Sequence, residues 1–384
     1  MTDAVIVSAV RTPIGRAYKG SLIGVDAFEL GQLVLEASMA RLGLAPDTVD
    51  DLVLAENYQG GGVIARNIAV RAGLSAIPGL AQNRWCAGGL SAVATAAGSV
   101  KAGMDRMVLA GGTESMSTAP ATLKRDAEGT MGPWLSLANP ECSEAPPLDM
   151  ALTVGENTAR LAGLTRADVD AWAFRSHERA IASIDNGWFD DEIVPVPVGD
   201  GFFKVDEHPR RGGSLEKMAS LPFLHPELDA PTVTAANSAG LNDAAAMVGV
   251  ASAEFAAANG LTPLARIRSW ASVGVDPVET GLAPSVAIPK ALDRAGVGLG
   301  DVARFEINEA FASVPVAAVR KLGLDEDIVN VNGSGCSLGH PIAATGARMV
   351  VTMVNELRRN GLSVGCVSMC AGGGMATAMV LELL

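Results

Sequence analysis

Two stretches of this chain repeat each other at long range. Residues 43–56 (GLAPDTVDDLVLAE) parallel residues 296–309 (GVGLGDVARFEINE), with Glu56 and Glu309 lying 253 positions apart. VLAGG ending at Gly112 is answered by MCAGG ending at Gly373, which sets Cys370 alongside Leu109. Such spacing predicts a duplicated unit, each copy burying its apolar face against the other. The competing explanation is that any α/β chain yields some matches of this kind.

Around the repeats, strand and helix patterns alternate, which is the α/β signature. Ala4 to Val10 reads as a strand, Ala27 to Leu42 as a helix and Asp51 to Ala55 as a strand. Cys86 to Ala102 reads as a helix with almost no polar face, hence buried on all sides. The order returns late in the chain: a helix over Pro289 to Ala295, a strand over Arg304 to Asn308, a helix over Ala343 to Asn360 and a strand over Leu362 to Met369. Residues 114–241 break the pattern. They are richer in Pro, Trp and charge, with one amphipathic helix near Arg166 to Ile184, and read as a lid inserted in the first unit. The expected division is 1–113 with 242–262, a lid over 114–241, and a second half over 263–384.

The 384 residues are 49% hydrophobic and 18% charged, which requires a large core and argues against disorder. A net charge of −13 disfavours nucleic acid as a partner. No apolar stretch is long enough for a membrane span. Five cysteines, an odd number with no secretory signal ahead of them, predict reduced thiols and a cytoplasmic location. Cys336 and Cys366 read as packing residues and Cys142 as an exposed loop thiol. No His/Cys set has zinc spacing, so no metal is expected.

Three segments could carry chemistry. Cys86 precedes Ala87-Gly88-Gly89 at the start of the buried helix, where the macrodipole favours thiolate. For a lone Cys the bland reading is a small buried residue. His340, alone among four histidines, lies in a Gly-rich strand-to-helix turn of the core, where α/β sheets place ligand-binding groups. It could serve as a base or an oxyanion donor, or as a structural turn residue. Cys370 ends the last predicted strand before AGGGMA; no Lys-Ser/Thr follows, so the Gly run is a poor phosphate loop. Asn308 ends a strand and reads equally as a cap.

Taken together, NRWCAGGLSAV (83–93), GGTESMS (111–117), TVTAANSAGLND (232–243), NEAFA (308–312), NVNGSGCSLGHPIAATGAR (330–348) and CAGGGMA (370–376) resemble the signatures of the thiolase family in order and spacing. The resemblance spans nearly the whole chain. It implies the five-layered αβαβα thiolase fold, two related α/β halves with an inserted lid. It also implies reversible acyl transfer between acyl-CoAs: thiolytic cleavage of a 3-ketoacyl-CoA, or Claisen condensation.

By the same resemblance Cys86 is the acyl-carrying nucleophile and His340 activates it. Cys370 is the acid/base at the α-carbon, its pKa depressed by its site. Asn308, through a water, and His340 form one oxyanion hole; the amides of Cys86 and Gly372 form the other. Arg210 in HPRRGGSLEKM (208–218) matches the CoA-nucleotide contact. Met150 stands beside Asp149, where short-chain members often carry His. Ser238 is adjacent to Ala239, where many members have a CoA-contacting Ser. Thr280 replaces a methionine that lines the acyl pocket, which suggests a pocket reshaped for a longer, branched or cyclic chain. CoA is substrate rather than cofactor, and a homodimer or homotetramer is implied. A non-enzymatic acyl-CoA- or lipid-binding protein on the same fold, or a ketoacyl-synthase-like enzyme with a second histidine in place of Cys370, are the alternatives.

Overall fold

The computed structural model describes residues 2–59 and 61–384, and no candidate site residue lies outside them. The first half comprises β1 (Ala4–Arg11), α1 (Ala27–Leu42), β2 (Asp51–Ala55), α2 (Ile64–Arg71), β3 (Leu80–Gln82), α3 (Gly88–Ala102) and β4 (Met107–Ser115). The chain then leaves the main sheet. It forms the long helix α4 (Arg166–Asp185) and re-enters the sheet as β5 (Asn242–Ser252). The second half comprises β6 (Ala265–Gly274), α5 (Pro284–Ala295), β7 (Arg304–Ile307), α6 (Ser313–Leu322), α7 (Ile342–Asn360), β8 (Val364–Ala371) and β9 (Met375–Leu383).

Nine of these strands run in the order β7-β8-β9-β6-β1-β5-β4-β2-β3. The two halves show the same pairing. In the first, β2 is parallel to β4, which is antiparallel to β5, itself antiparallel to β1. In the second, β7 is parallel to β8, which is antiparallel to β9, itself antiparallel to β6. Only two residue pairs, Val5–Arg266 and Ile6–Ala265, join β1 to β6 at the seam.

Helices α3 and α7 lie between the two sets of strands. Leu90, Val93 and Ala97 of α3 and Met349, Val350 and Met353 of α7 share one core with residues from both halves. Helices α1 and α2 cover the outer face of the first half. Helices α5 and α6, with the first part of α4, cover that of the second. This is the expected five-layered fold. Local signals set the helix ends: Asp26 and Glu29 form a capping box on α1, and Gly43 ends it at φ 62°.

The stretch between β4 and β5 is fastened to β1 by a buried ion cluster. Arg11 Nε donates to Glu192 at 2.6 Å, and its Nη1 and Nη2 each reach Asp206 at 2.8 Å, all three side chains being almost wholly buried. Removing one partner of such a pair costs about 3–5 kcal/mol, because the other charge is left stranded.

The structure differs from the sequence reading in four places. Helix α3 starts at Gly88, leaving Cys86 in the turn before it. Helix α5 starts at Pro284, since Pro is well placed in a first turn, and Pro289 is carried inside it. Strands β3, β5, β6 and β9 and helices α2 and α6 were not anticipated. The register of the repeat also shifts. Leu54 pairs with Gly111, and its counterpart Ile307 pairs with Ser368, so Cys370 corresponds to Thr113 rather than Leu109. The glycine pairs looked alike, but they lie four residues out of step.

Candidate active site

Cys86 sits two residues ahead of α3. Trp85 before it has φ 45°, a left-handed conformation that a bulky aromatic adopts only when its surroundings enforce it. Its amide donates to Asn83 Oδ1 at 2.7 Å, and Tyr58 packs edge-on with ring centroids 5.9 Å apart. The sulfur is half-buried. Burial pushes its thiol up to about 11, against the pull of the Gly372 amide and its own amide; the charge of Glu114 adds to the rise. The resting group is therefore a thiol. The expectation of a helix-stabilised thiolate is corrected, because desolvation outweighs the dipole.

Cys370 lies inside β8 and is buried. Burial raises its thiol far above the ordinary range, and charge on Cys86 raises it further. Two thiols 284 positions apart in sequence (86 to 370) are thus near enough for the charge of one to act on the other. The expected depression of the second thiol is corrected as well: nothing cationic offsets its burial.

The turn after β8 is built from glycine. Gly373 and Gly374 have φ 85° and 75°, and a Cβ on Gly373 would stand 2.5 Å from the Ala138 carbonyl oxygen. Gly372 turns its amide to the Cys86 sulfur. Around the place where its Cβ would be lie Ala138 Cβ (3.5 Å), Met150 Sδ (3.7 Å) and Trp85 Cγ (4.0 Å). Met150 directly precedes a π-helical turn, Ala151–Glu156, a rare geometry found mostly at functional sites. Thr280 is fully buried beneath the glycine turn. Its hydroxyl donates to the Pro277 carbonyl at 2.6 Å and accepts from the Gly374 amide at 3.0 Å. It braces the turn, with its hydroxyl fully engaged.

His340 sits two residues ahead of α7. Its amide donates to Asn242 Oδ1 at 3.0 Å. Ring Nδ1 is 2.7 Å from Thr345 Oγ1, and that hydroxyl donates to the Pro341 carbonyl at 2.8 Å. With its proton so committed, Thr345 accepts from Nδ1–H, which leaves the lone pair on Nε2. Nε2 is buried without a partner among the described residues. Burial, helped by the charge of Arg348, pushes the imidazole down to about 3, so it is neutral at working pH.

The two loops meet through the helices that follow them. A Cβ on Gly89 of α3 would lie 2.5 Å from the carbonyl oxygen of Ala343 in α7. Asn308 directly follows β7 and is fully buried; its side-chain oxygen and nitrogen both lack partners among the described residues.

Two carboxylates that the sequence reading did not single out organise these loops. Glu309 accepts from Trp172 Nε1 (2.8 Å), Asn330 Nδ2 (2.8 Å), Ser176 Oγ (2.6 Å) and the Cys336 amide (3.1 Å), tying α4 to the loop ahead of α7. Glu114 accepts from Gln59 Nε2 (2.9 Å), the Tyr58 amide (3.3 Å) and the Ala343 amide (3.2 Å). Burial raises its carboxyl to about 7. Their positions within GGTES and NEAF were the only available signal.

A cavity of about 560 Å³ opens beside α4. Phe174, Ile181, Met218 and Leu221 line its apolar side, and Arg210 and Lys217 its basic side. The Arg210 guanidinium has no hydrogen-bond partner among the described residues; its amide donates to His177 Nδ1 at 3.2 Å. Arg211, by contrast, is paired with Asp185. Ser238 lies outside that lining and donates its hydroxyl to the Thr234 carbonyl at 2.7 Å. Among the described residues no cluster of three or more His, Cys, Asp or Glu is placed to hold a metal. Among the described residues no helix is long and apolar enough to cross a membrane.

Two thiols, a neutral imidazole with a free lone pair, an unpartnered amide and inward-turned backbone N–H groups form a set suited to covalent acyl transfer. Comparison with known proteins gives the same direction. Residues 4–254 match the family description "Thiolase, N-terminal domain" and residues 261–383 "Thiolase, C-terminal domain". The acetyl-CoA acetyltransferase of Cupriavidus necator is 41% identical and the 3-ketoacyl-CoA thiolase of Bacillus subtilis 39%, each alignment covering 100% of both chains. The crystal structure of human mitochondrial 3-ketoacyl-CoA thiolase in complex with CoA superposes with a TM-score of 0.93 at 34% identity, covering 100% of this chain and 98% of that one. With both halves of its sequence matched and its fold shared from end to end, this chain belongs to the thiolase family.

Proposed function

We propose that the chain is an active thiolase that forms an acyl-Cys86 intermediate. In the cleavage direction, Cys86 Sγ attacks the 3-carbonyl of a 3-ketoacyl-CoA as His340 Nε2 takes the thiol proton. The amides of Cys86 and Gly372 hold the oxyanion. The carbon–carbon bond breaks, and the Cys370 thiol delivers its proton to the α-carbon of the departing acetyl-CoA. Its enolate oxygen is held by the now protonated Nε2 of His340 and, through a water, by Asn308. CoA then takes the acyl group from Cys86: its thiol adds to the acyl carbonyl as the Cys370 thiolate takes the thiol proton, and Cys86 leaves with the proton held on His340 Nε2. Condensation runs the same steps in reverse. A buried, high-pKa thiolate is a strong base, which suits the weakly acidic C–H.

The observation that carries this reading is the pair of orphaned side chains. An unsatisfied buried polar group costs about 1–3 kcal/mol. His340 Nε2 and both amide atoms of Asn308 are left in that state among the described residues. A non-enzymatic binding protein has no need of this arrangement. Intact-mass analysis after incubation with acetoacetyl-CoA is expected to show an acetyl adduct that maps to Cys86. No adduct, or one that persists in Cys86→Ala, would sink the reading.

We infer that the 560 Å³ cavity takes the CoA nucleotide, with Arg210 at the phosphates, and that Ser238 and Met150 flank the pantetheine path. We keep the three-part domain division given above. A homodimer or homotetramer is inferred, and the open edge of β3 supports an association there. Five unpaired thiols support a reducing, cytoplasmic setting. CoA enters as substrate; the proposed chemistry calls on no resident cofactor.

A further inference from the structure

The turn that carries Cys86 is strained, and something must hold it. Trp85 keeps φ 45°, and a bulky residue persists there only where its neighbours over-determine it. Helix α3 has no side-chain cap of its own. What closes the turn is Arg84, the residue ahead of Trp85. Its Nη1 donates to Ser91 Oγ in the first turn of α3 at 2.9 Å, spanning Trp85, Cys86 and Ala87. Backbone bonds run the same way, from the Ala87 amide to the Arg84 carbonyl at 3.1 Å and from the Gly88 amide to the Trp85 carbonyl at 2.8 Å.

The same Nη1 donates to Ser272 Oγ of β6 at 2.6 Å. Ser272 is paired with Thr377 of β9, and their hydroxyl oxygens lie 3.0 Å apart. Thr377 is fully buried and pairs in turn with Met369 of β8, directly before Cys370. Its carbonyl accepts from Ser368 Oγ at 3.1 Å. One guanidinium therefore joins three pieces: the turn of the first thiol, the helix that follows it, and the strands beside the second thiol. Both bonds have a charged donor, and such bonds are stronger than those between neutral groups. Arg84 lines a polar cavity of about 400 Å³ that shares no residue with the cavity assigned to the nucleotide.

We propose that Arg84 is a positioning residue, which fixes the Cys86 sulfur relative to Cys370 without touching substrate. The proposal rests on the acyl-Cys86 reading above. The spacing matters because the acyl group on one thiol must meet the carbon whose proton the other thiol handles. A misplacement of about 1 Å can cost about 10²-fold in such a step.

The test is steady-state thiolysis of acetoacetyl-CoA by the whole protein and four variants. Arg84→Met keeps the length of the side chain and loses its donors. It is expected to lower kcat by about 10- to 100-fold and to leave KM within about threefold, since the residue acts through the thiol it places. Arg84→Lys is expected to restore about tenfold in kcat, because both bonds leave from one nitrogen and an ammonium can supply both. Ser272→Ala is expected to cost about 3- to 10-fold. Combined with Arg84→Met it is expected to add about twofold or less, since the two changes cut one tie at two points. Should Arg84→Met fold poorly by circular dichroism, Ser272→Ala carries the test, with kcat reduced and KM held.

If wild type turns over acetoacetyl-CoA and kcat is unmoved in the variants, the inference is overturned and the acyl-Cys86 reading stands. A rise in KM with kcat held would assign Arg84 to a ligand and overturn it too. So would full additivity of the two changes, no rescue by Lys, or a change of oligomeric state in light scattering that accounts for the loss. If wild type neither turns over the ester nor forms the Cys86 adduct, the reading itself fails.

Discussion

The two halves share one skeleton and fill it differently. Each has a central helix whose start faces the site, and each puts a reactive candidate two residues ahead of that helix: Cys86 before Gly88, His340 before Ile342. Each has a strand pointing at the same place. In the first half that strand carries Thr113, whose hydroxyl turns away to the Ala27 carbonyl at 2.7 Å. In the second it carries Cys370. Glu56 and Glu309 also correspond, and both spend their carboxylates on loop geometry. Glu56 accepts from the Gly61 and Ile64 amides at 3.3 Å, while Glu309 gathers side chains of the lid. The lesson is that duplication supplies equivalent places, not equivalent groups. The near-symmetric frame places a thiol ahead of one central helix and an imidazole ahead of the other. The turns after the strands differ for a related reason. The first half inserts the lid after Ser115, while the second closes at once through Gly372–Gly374, which leaves an amide free to face the sulfur.

The most severe way to break this comparison is to remove one of the paired groups. Cys86→Ala is expected to lower thiolysis by at least about 10⁴-fold and to abolish the covalent adduct by mass spectrometry. The skeleton, measured by circular dichroism, should be unchanged. Cys370→Ala sharpens the contrast between the thiols. It is expected to cost about 10²–10⁴-fold in carbon–carbon bond formation or cleavage, while acyl-Cys86 still forms from an acyl-CoA. Equal loss of both half-reactions would show that the thiols do not divide the work.

The frame itself can be tested at its closest contact. A methyl on Gly346 of α7 would run into the Leu90 backbone of α3. Gly346→Ala is expected to destabilise by about 1–3 kcal/mol in chemical denaturation and to lower activity more than stability, because the helix starts carry the reacting groups. Thr345→Val removes the acceptor that fixes the His340 tautomer. About a tenfold loss in kcat is expected with little change in KM, since an orienting partner acts through the imidazole it holds. An unchanged kcat would mean that the imidazole is oriented by something else.

The smallest effect is acid sensitivity. Burial holds His340 at about 3, His177 at about 4 and His208 at about 3, all below the ordinary 6.5. A group depressed on folding contributes stability above its unfolded pKa and loses it as pH falls towards its folded value. Thermal stability is therefore expected to decline from about pH 6 downward, before most carboxylates protonate. A flat profile down to pH 4 would contradict these burials.

Much of this was legible in the sequence. The family and its α/β fold lie in contiguous signals, and local signals survive without a fold. What was not legible depends on distant neighbours. Whether Cys86 rests as thiol or thiolate is decided by its burial and by Glu114, while the sequence displayed only its place near a helix start. Glu114 and Glu309 act through amides and side chains on other elements. Thr280 could be read as a substitution, but its engagement with Gly374 required the turn itself. The four-residue slip at Cys370 arose because similar glycine pairs are weaker evidence of register than hydrogen-bonded partners.

The contact between α3 and α7 has one further consequence. Gly89, Gly112 and Gly346 let backbone meet backbone, so the distance between the thiol and the imidazole is set where no side chain can be traded. Substitutions at exposed positions elsewhere leave that spacing intact, so the frame tolerates drift at its surface while these three glycines do not.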